Sequence, residues 1–173
     1  MPEKIVKNKL NSMRLLEQHK IPYEVIEFPD ELRDAEEIAE VLGMPADIVY
    51  KTLVVEPEQG GKPILVMIAA HRQLDLKKVA AAAGVKKVHM AAHKDAEALT
   101  GLKVGGIGAL ALTHKNWMVL LDQPAMNHQH IMVSGGQRGV DLRVTVQSLM
   151  QLTRARIAEV SRAPSSDDDL SQG

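Results

Sequence analysis

Two apolar segments joined by a turn-forming loop constrain the fold of this chain most strongly. Residues 48–55 and 64–70 are short, mainly aliphatic runs with the length and composition of buried strands. Between them, residues 57–61 read Pro-Glu-Gln-Gly-Gly, which is typical of a hairpin loop. The pattern therefore predicts that the two segments pair as antiparallel strands.

A single charge, Lys51, interrupts the first of these segments. Burying an ammonium group without a partner is costly, so a lysine here is expected at the strand end, on a solvated face, or in a polar cleft. The solvated face is the commonest of the three, because strand lysines on wet faces are frequent. Only the cleft would give Lys51 a functional role, and its immediate neighbours leave the three alternatives open.

Helices and strands alternate along the rest of the chain, according to periodicity, capping and turn signals. Helices are predicted at 5–19, at 34–42 with Asp34 and Glu37 as a capping box, at 76–83 and 94–99, and as one helix or a helix pair from 145 to about 162. Further strands are predicted at 23–28, 87–90, 107–113, 117–122, 130–134 and 140–144. This mixture favours an α+β fold with a mixed, barrel-like sheet. Residues 1–162 form one predicted domain, and the Ser- and Asp-rich residues 163–173 a disordered tail.

Composition argues against several classes of protein. The chain has no cysteine, which excludes disulfides, thiolate metal sites and a cysteine nucleophile. Aromatic residues make up only 2% and the formal net charge is -1, which argues against base-stacking platforms and against general DNA binding. Residues 1–7 lack the apolar core of an export signal, and no later segment is long enough to span a bilayer. We therefore predict a cytoplasmic protein without membrane association.

Two glycine clusters are candidates for a binding site. Residues 105–108 read Gly-Gly-Ile-Gly, and residues 134–139 read Ser-Gly-Gly-Gln-Arg-Gly. Glycine lets the backbone approach a ligand closely, and successive free N–H groups can form an anion-binding concavity. Taken alone, each cluster is more simply interpreted as a tight turn, and neither matches a P-loop or a dinucleotide fingerprint.

Histidine pairs do not predict a metal site. His128 and His130 flank one residue, and His89 and His93 are four apart, but neither pair has a third ligand at a suitable spacing. A Ser134-centred triad is also disfavoured, because no nucleophile elbow surrounds that serine. The residues therefore predict neither a metal nor a serine nucleophile.

Five motifs occur in a fixed order between residues 10 and 158. They are Tyr-Lys-Thr-Leu at 50–53, Gln-Leu-Asp-Leu-Lys-Lys-Val at 73–79, Gly-Val-Lys-Lys-Val at 84–88, Thr-Gly at 100–101 with Val-Gly-Gly-Ile at 104–107, and Val-Ser-Gly-Gly-Gln-Arg-Gly at 133–139. In this order they resemble the YbaK/EbsC family, free-standing relatives of the editing domain inserted in bacterial prolyl-tRNA synthetase. The resemblance covers nearly the whole predicted domain.

The resemblance implies a domain that hydrolyses mischarged aminoacyl-tRNA, with Cys-tRNA(Pro) or Ala-tRNA(Pro) as the substrates of the best-known members. It implies a catalytic role for Lys51, which would hold phosphate or ribose oxygens or polarise the ester carbonyl. The 3' terminal adenosine of aminoacyl-tRNA would be the bound group, prolyl-tRNA synthetase is a candidate partner, and no metal or cofactor is implied. The alternative is a catalytically silent tRNA- or nucleotide-binding module of the same fold.

The same resemblance implies which residues bind the substrate. Five residues of the two glycine clusters would line the pocket for the aminoacylated adenosine: Gly105, Gly106, Ser134, Gly135 and Gly136. Asp141 is a weaker candidate, and Phe28 stands where relatives often carry a pocket tyrosine. Relatives commonly continue the first cluster as Ser-Pro-Leu-Gly, whereas residues 108–111 here read Gly-Ala-Leu-Ala, a change that bears on substrate specificity.

Overall fold

Helices and strands alternate along residues 9–164, the part of the chain that the computed structural model describes. In chain order they are α1 (Asn11–Gln18), β1 (Glu24–Glu27), α2 (Ala35–Leu42), β2 (Tyr50–Pro57), β3 (Ile64–Ala69), β4 (Gln73–Leu74), α3 (Leu76–Ala83), β5 (Val88–Met90), α4 (His93–Thr100), β6 (Met118–Asp122), β7 (His130–Gln137), β8 (Val140–Thr145), α5 (Val146–Thr153), β9 (Arg156–Ala158) and β10 (Ser161–Arg162). Three short 3₁₀ helices, Ala109–Ala111, Thr113–Lys115 and Gln123–Asn127, flank β6. The predictions for residues 5–8 and 165–173 lie outside the described part.

The predicted hairpin forms the centre of a mixed five-stranded sheet. Strands β2 and β3 pair antiparallel with Leu53 opposite Val66, and all six residues of β3 are buried. The strand order is β5-β2-β3-β6-β9, with β6 parallel to β3 and β9 parallel to β6. Because both faces of β3 are covered, its sequence is a continuous apolar run rather than an alternating one.

A second, three-stranded sheet with the order β1-β8-β7 lies against the first. The two sheets meet at one isolated parallel bridge between Val49 and Met132. Strands β4 and β10 form a separate two-stranded ribbon. The predicted α+β fold with a mixed sheet is thus confirmed, although the sheets of residues 9–164 remain open and do not close into a barrel.

The five-stranded sheet separates two apolar clusters. Side chains on one face, including Tyr50, Val54 and Met67, pack with α1, α5 and strands β7 and β8. Those on the other face, including Val55 and Ile68, pack against α3. The sheet is therefore a buried layer, and any polar group on its strands needs a special environment.

Two sequence-based predictions are corrected by the structure. Residues 107–113 form no strand, and Ala109–Ala111 is a 3₁₀ helix. The prediction was wrong because an apolar run alone does not distinguish a strand from another buried segment. Asp34 precedes α2 as predicted but makes no capping hydrogen bond through its side chain.

The predicted C-terminal helix is also shorter than expected. Helix α5 ends at Thr153, where Arg154 takes a left-handed conformation (φ 59°), and the chain continues as β9 and β10. Buried Asp122 accepts hydrogen bonds from the Val160 N–H (3.1 Å) and from the Ser161 hydroxyl. Because a buried carboxylate needs hydrogen-bond donors, these two bonds favour the extended strands β9 and β10 over a helix in residues 156–162.

Gly108 packs so closely on β7 that we expect a side chain there to destabilise the protein. A Cβ atom at Gly108 would lie 2.4 Å from the Ser134 carbonyl oxygen, a backbone atom that cannot rotate away. We therefore expect Gly108→Ser to lower the free energy of unfolding by about 1–3 kcal/mol, measured by urea denaturation. A side chain at position 108 thus requires β7 and the loop containing Gly108 to move apart.

Gly135→Ala is the matched control for this substitution. A Cβ atom at Gly135 would meet only side-chain carbons, the nearest at 3.3 Å, so its neighbours can adjust. We expect a smaller loss of stability than for Gly108→Ser. Equal losses in the two variants would contradict the close backbone contact at Gly108.

Candidate active site

A cavity of about 570 Å³ opens beside one edge of β2, along a stretch where no other strand pairs with β2 on that edge. On this edge β5 pairs with Val55–Pro57, and β7 forms one backbone bridge, to Val49 just before β2 begins. The stretch of β2 between these contacts is the cavity wall. The other lining residues include Arg33, Asp34, Ala35 and Ile38 around the start of α2, Met90 and Ala91, His93, Ala96 and Glu97 of α4, Val104, Gly105 and Ile107, and Ser134, Arg138 and Asp141.

The alternation of β2 directs backbone groups of Thr52 into this cavity. The Ala70 N–H donates to the Val49 carbonyl, so the backbone N–H and C=O groups of odd-numbered residues in β2 point towards β3. The Ala91 N–H donates to the Val54 carbonyl on the opposite edge. Because hydrogen-bonding direction alternates along a strand, the N–H and C=O of Thr52 face the same edge as those of Val54. The open edge thus offers a backbone donor and a backbone acceptor to a ligand.

Lys51 lies in this cavity, which resolves the choice between its three possible environments. Its ammonium donates to the Ala70 carbonyl at 3.1 Å, and the side chain is partly buried. Burial lowers the pKa of Lys51, and the nearby carboxylates of Asp34 and Glu36 partly oppose this shift. The result is a fixed, incompletely hydrated cation, which interacts more strongly with an anionic or polarised ligand than a solvated lysine does.

Asp141 is another ionisable group of the cavity whose pKa is shifted. It lies opposite Ser134 in the β7–β8 pairing and is only 6% exposed. Burial raises the pKa of its carboxyl group to about 7. Within residues 9–164 no hydrogen bond or ion pair compensates this burial, so Asp141 can hold or release a proton near neutral pH.

The glycines of the second cluster, residues 134–139, support the cavity wall but do not line the cavity. Ser134 lines it, and its hydroxyl oxygen accepts a hydrogen bond from the Gly136 N–H at 3.1 Å. The Gly135 carbonyl accepts from the buried Ser12 hydroxyl at 2.6 Å, which ties β7 to α1. A Cβ atom at Gly106 would lie 2.6 Å from the Arg138 nitrogen, so this glycine permits close packing of the two loops.

Four of the eight predicted site residues come together in the cavity. Lys51, Gly105, Ser134 and Asp141 line it. Gly135 and Gly136, near the end of β7, and Gly106, in the loop packed against it, lie outside the set of lining residues. Phe28 is buried away from it, with its N–H donating to the Gly139 carbonyl at 3.0 Å. The functional roles of all eight remain predictions.

Sequence reasoning overlooked several polar residues of the cavity wall, including Arg33. Thr52 and Arg138 stand inside motifs that the resemblance rests on, but neither was singled out. Glu97 lies in a helix whose sequence carries no functional signal. Only the packing of α4 against the two glycine loops reveals that Glu97 and Arg138 share a site.

One histidine of each predicted pair, His89 and His128, lies beside carboxylates of neighbouring residues, and His93 lines the cavity. The ring of His89 lies between Glu56 (3.5 Å) and Glu58 (3.1 Å), and His128 lies 3.7 Å from Asp47. Across residues 9–164, no three His, Asp or Glu side chains are grouped so that they could hold a metal ion. None of the helices in this part of the chain has the length and apolar character needed to cross a membrane.

The fold and the cavity thus define an α+β domain with a half-buried lysine at an open strand edge, in a pocket of the size that binds small organic ligands. A family model described as "Aminoacyl-tRNA editing domain" matches residues 29–152. The chain belongs to this family, and its class is that of aminoacyl-tRNA deacylases, which are ester hydrolases.

Individual relatives agree with this assignment. The chain is 37% identical over 163 residues to the "Putative Cys-tRNA(Pro)/Cys-tRNA(Cys) deacylase EbsC" of Enterococcus faecalis, a match covering 93% of this chain and 98% of the relative. It is 25% identical over 121 residues to proline--tRNA ligase of Staphylococcus aureus, covering 70% of this chain and 20% of the ligase. A solved structure described as a "putative trans-editing enzyme for prolyl tRNA synthetase" superposes with a TM-score of 0.74 at 25% identity, covering 88% of this chain and 96% of that one.

Proposed function

We propose that this protein acts in trans on mischarged tRNA(Pro) and removes cysteine or alanine from its 3' terminal adenosine. The relative described as a Cys-tRNA(Pro)/Cys-tRNA(Cys) deacylase supports the substrate, and the match to one fifth of a proline--tRNA ligase supports the choice of tRNA. The observation that carries the proposal is the position of Lys51, a partly buried cation beside the open edge of β2.

The chemistry asks little of such a site. An aminoacyl ester is already activated, so the protein has to hold the 3' end, stabilise the developing oxyanion and admit a nucleophile. The Lys51 ammonium uses one N–H on the Ala70 carbonyl, which leaves two donors for phosphate, ribose or carbonyl oxygens of the substrate. The Thr52 N–H adds a donor to the same wall, which Gly105 also lines. Water or a substrate group serves as nucleophile, so no covalent protein intermediate is required.

The cavity also suits the charge of the proposed ligand. Arg33 lies at its wall together with Lys51 and the single carboxylate of Asp34 beside them, and the two positive charges favour the 3' terminal phosphate of tRNA. Exposed Met90 and the largely buried Ile38 both line the cavity and offer apolar contacts for a base, in a domain with few aromatic residues. We take prolyl-tRNA synthetase as the partner that releases the mischarged tRNA, and the cytoplasm as the place of the reaction.

A panel of aminoacyl-tRNAs tests this function. We expect the purified protein to deacylate Cys-tRNA(Pro) or Ala-tRNA(Pro) at least about tenfold faster than Pro-tRNA(Pro), because a pocket separates small side chains by about 1–3 kcal/mol. Release of labelled amino acid is the measurement. Comparing Cys-tRNA(Cys) with Cys-tRNA(Pro) shows whether the protein distinguishes the tRNA as well as the amino acid. Adding prolyl-tRNA synthetase tests the partner. Tight binding of these tRNAs without turnover would instead establish a silent binding module.

A further inference from the structure

Two side chains of the cavity wall hold both backbone groups of Val104. The Val104 N–H donates to Glu97 Oε2 at 2.8 Å, and the Val104 carbonyl accepts from Arg138 Nε at 2.7 Å. The nearest atoms of the two charged groups, Arg138 Nη2 and Glu97 Oε2, are 3.9 Å apart. Each side chain therefore acts mainly on the backbone of Val104, and their direct ion pair is secondary.

Val104 is the second residue of a tight turn that ends at the first glycine cluster. The Gly106 N–H donates to the Lys103 carbonyl at 2.7 Å, and Gly105 in the third position has φ +91°. Val104 itself is not among the residues with positive φ, so the turn is of type II. A type II turn differs from a type I turn mainly in the orientation of its central peptide, here Val104–Gly105.

Fixing one end of this peptide also fixes the other. The C=O and N–H of a trans peptide point in opposite directions, so the Arg138 bond to the Val104 carbonyl sets the direction of the Gly105 N–H. Glu97 fixes the preceding peptide through the Val104 N–H. That bond is also the main reason why the pKa of Glu97 is lowered, which keeps its carboxylate charged.

We infer that Glu97 and Arg138 are positioning residues that lock the Lys103–Gly106 turn in its type II form and so hold the Gly105 N–H in the orientation in which it donates to the substrate. The inference rests on the proposed function in one respect, namely that the ester end of an aminoacyl-adenosine occupies this cavity. Neither side chain is given a role in the chemistry itself. Their effect passes through the backbone of Gly105, which lines the cavity.

Amide hydrogen exchange tests the lock without reference to activity. The Val104 N–H is expected to exchange slowly in the wild type and at least about tenfold faster in Glu97→Ala, because its acceptor is lost. Glu97→Gln is expected to retain protection, since its amide oxygen still accepts this hydrogen bond. The matched control is the Glu24–Arg143 pair, which is 2.7 Å apart on β1 and β8 and outside the cavity. Unchanged exchange in Glu97→Ala would overturn the inference.

Deacylation kinetics test the consequence for the substrate. We expect Glu97→Ala and Arg138→Met each to lower kcat/KM about 10–100-fold, because one misplaced donor at the reacting group has effects of this size. Glu97→Gln should restore most of the activity, and the double variant should be no worse than Arg138→Met alone, because both act on one turn. Glu24→Ala and Arg143→Met should leave kcat/KM unchanged.

Failure of the lock and failure of the proposed function give different results. Losses no larger than those of Glu24→Ala and Arg143→Met, or equal losses for the Ala and Gln variants of Glu97, would overturn the lock. A wild-type protein without deacylation would overturn the proposed function alone. The affinity for a non-hydrolysable aminoacyl-adenosine amide then replaces kcat/KM as the measurement. We expect Glu97→Ala and Arg138→Met to weaken this affinity by the same 10–100-fold, to within about a factor of three.

Discussion

Replacing Lys51 by alanine is expected to reduce deacylation about 10²–10³-fold, the largest loss of activity that we predict for a single side chain. The ammonium is held at the cavity wall by the Ala70 carbonyl and is incompletely hydrated, so its interaction with substrate oxygens is strong. Water that fills the space of the missing side chain cannot replace a fixed positive charge. The measurement is kcat/KM on the best substrate of the aminoacyl-tRNA panel.

Two further variants separate the charge from packing and from general electrostatics. Lys51→Met keeps the length of the side chain and removes the charge, so we expect it to lose as much activity as Lys51→Ala while keeping the wild-type stability. Lys62→Ala removes one positive charge from the exposed β2–β3 loop and should retain wild-type activity. Retention of more than about one tenth of the activity in Lys51→Met would exclude the proposed electrostatic role.

The part of the fold that the sequence predicts best is the part governed by local pattern. Strands β2 and β3 follow from two apolar runs and a glycine loop, and the end of α3 at left-handed Gly84 follows from that residue type. Residues 107–113 and 156–162 could not be predicted in this way. Their conformations depend on contacts with distant residues, namely the Ser134 carbonyl and the Asp122 carboxylate.

The candidate site was predictable in its position but not in its geometry. An interrupted apolar strand and a set of ordered motifs identify Lys51, yet its place in a cavity depends on where β5 and β7 leave the edge of β2. Glu97 gives no local signal, because it acts on the backbone of Val104 across a loop. The protonation state of Asp141 likewise depends on burial, which is a property of the folded protein.

Lys51 and Asp141 show how burial in the cavity affects the pKa values of charged groups. Burial is the main cause of both pKa shifts, which lower the pKa of the lysine and raise that of the aspartate, so both groups are moved towards neutrality. The cavity is therefore a poorly hydrated environment in which electrostatic contacts with a substrate are strong. Burial of the charged form costs stability at both residues: nearby carboxylates reduce this cost for Lys51, whereas no charge among residues 9–164 compensates it for Asp141.

Replacing Asp141 by asparagine is therefore expected to stabilise the protein at pH 8 and to change little at pH 4. The folded-state pKa of about 7 exceeds the ordinary value of 3.8, so the folded state binds more protons than the unfolded state between these values. Stability is then highest below about pH 4 as far as this group is concerned, and falls as the pH rises through 7. A change in pKa from 3.8 to about 7 corresponds to a loss of up to about 4 kcal/mol, which asparagine avoids because it does not ionise.

Denaturation of both proteins at several pH values between 4 and 8 measures this effect. The difference in free energy of unfolding between Asp141→Asn and wild type should grow with pH and level off above about pH 8. Asp30→Asn, at an exposed position outside the cavity, controls for the general effect of removing a carboxylate. Parallel pH profiles for Asp141→Asn and wild type would mean that the Asp141 carboxylate is already hydrated in the folded protein, and the cavity would then lack the poorly hydrated character on which the strong contacts of Lys51 depend.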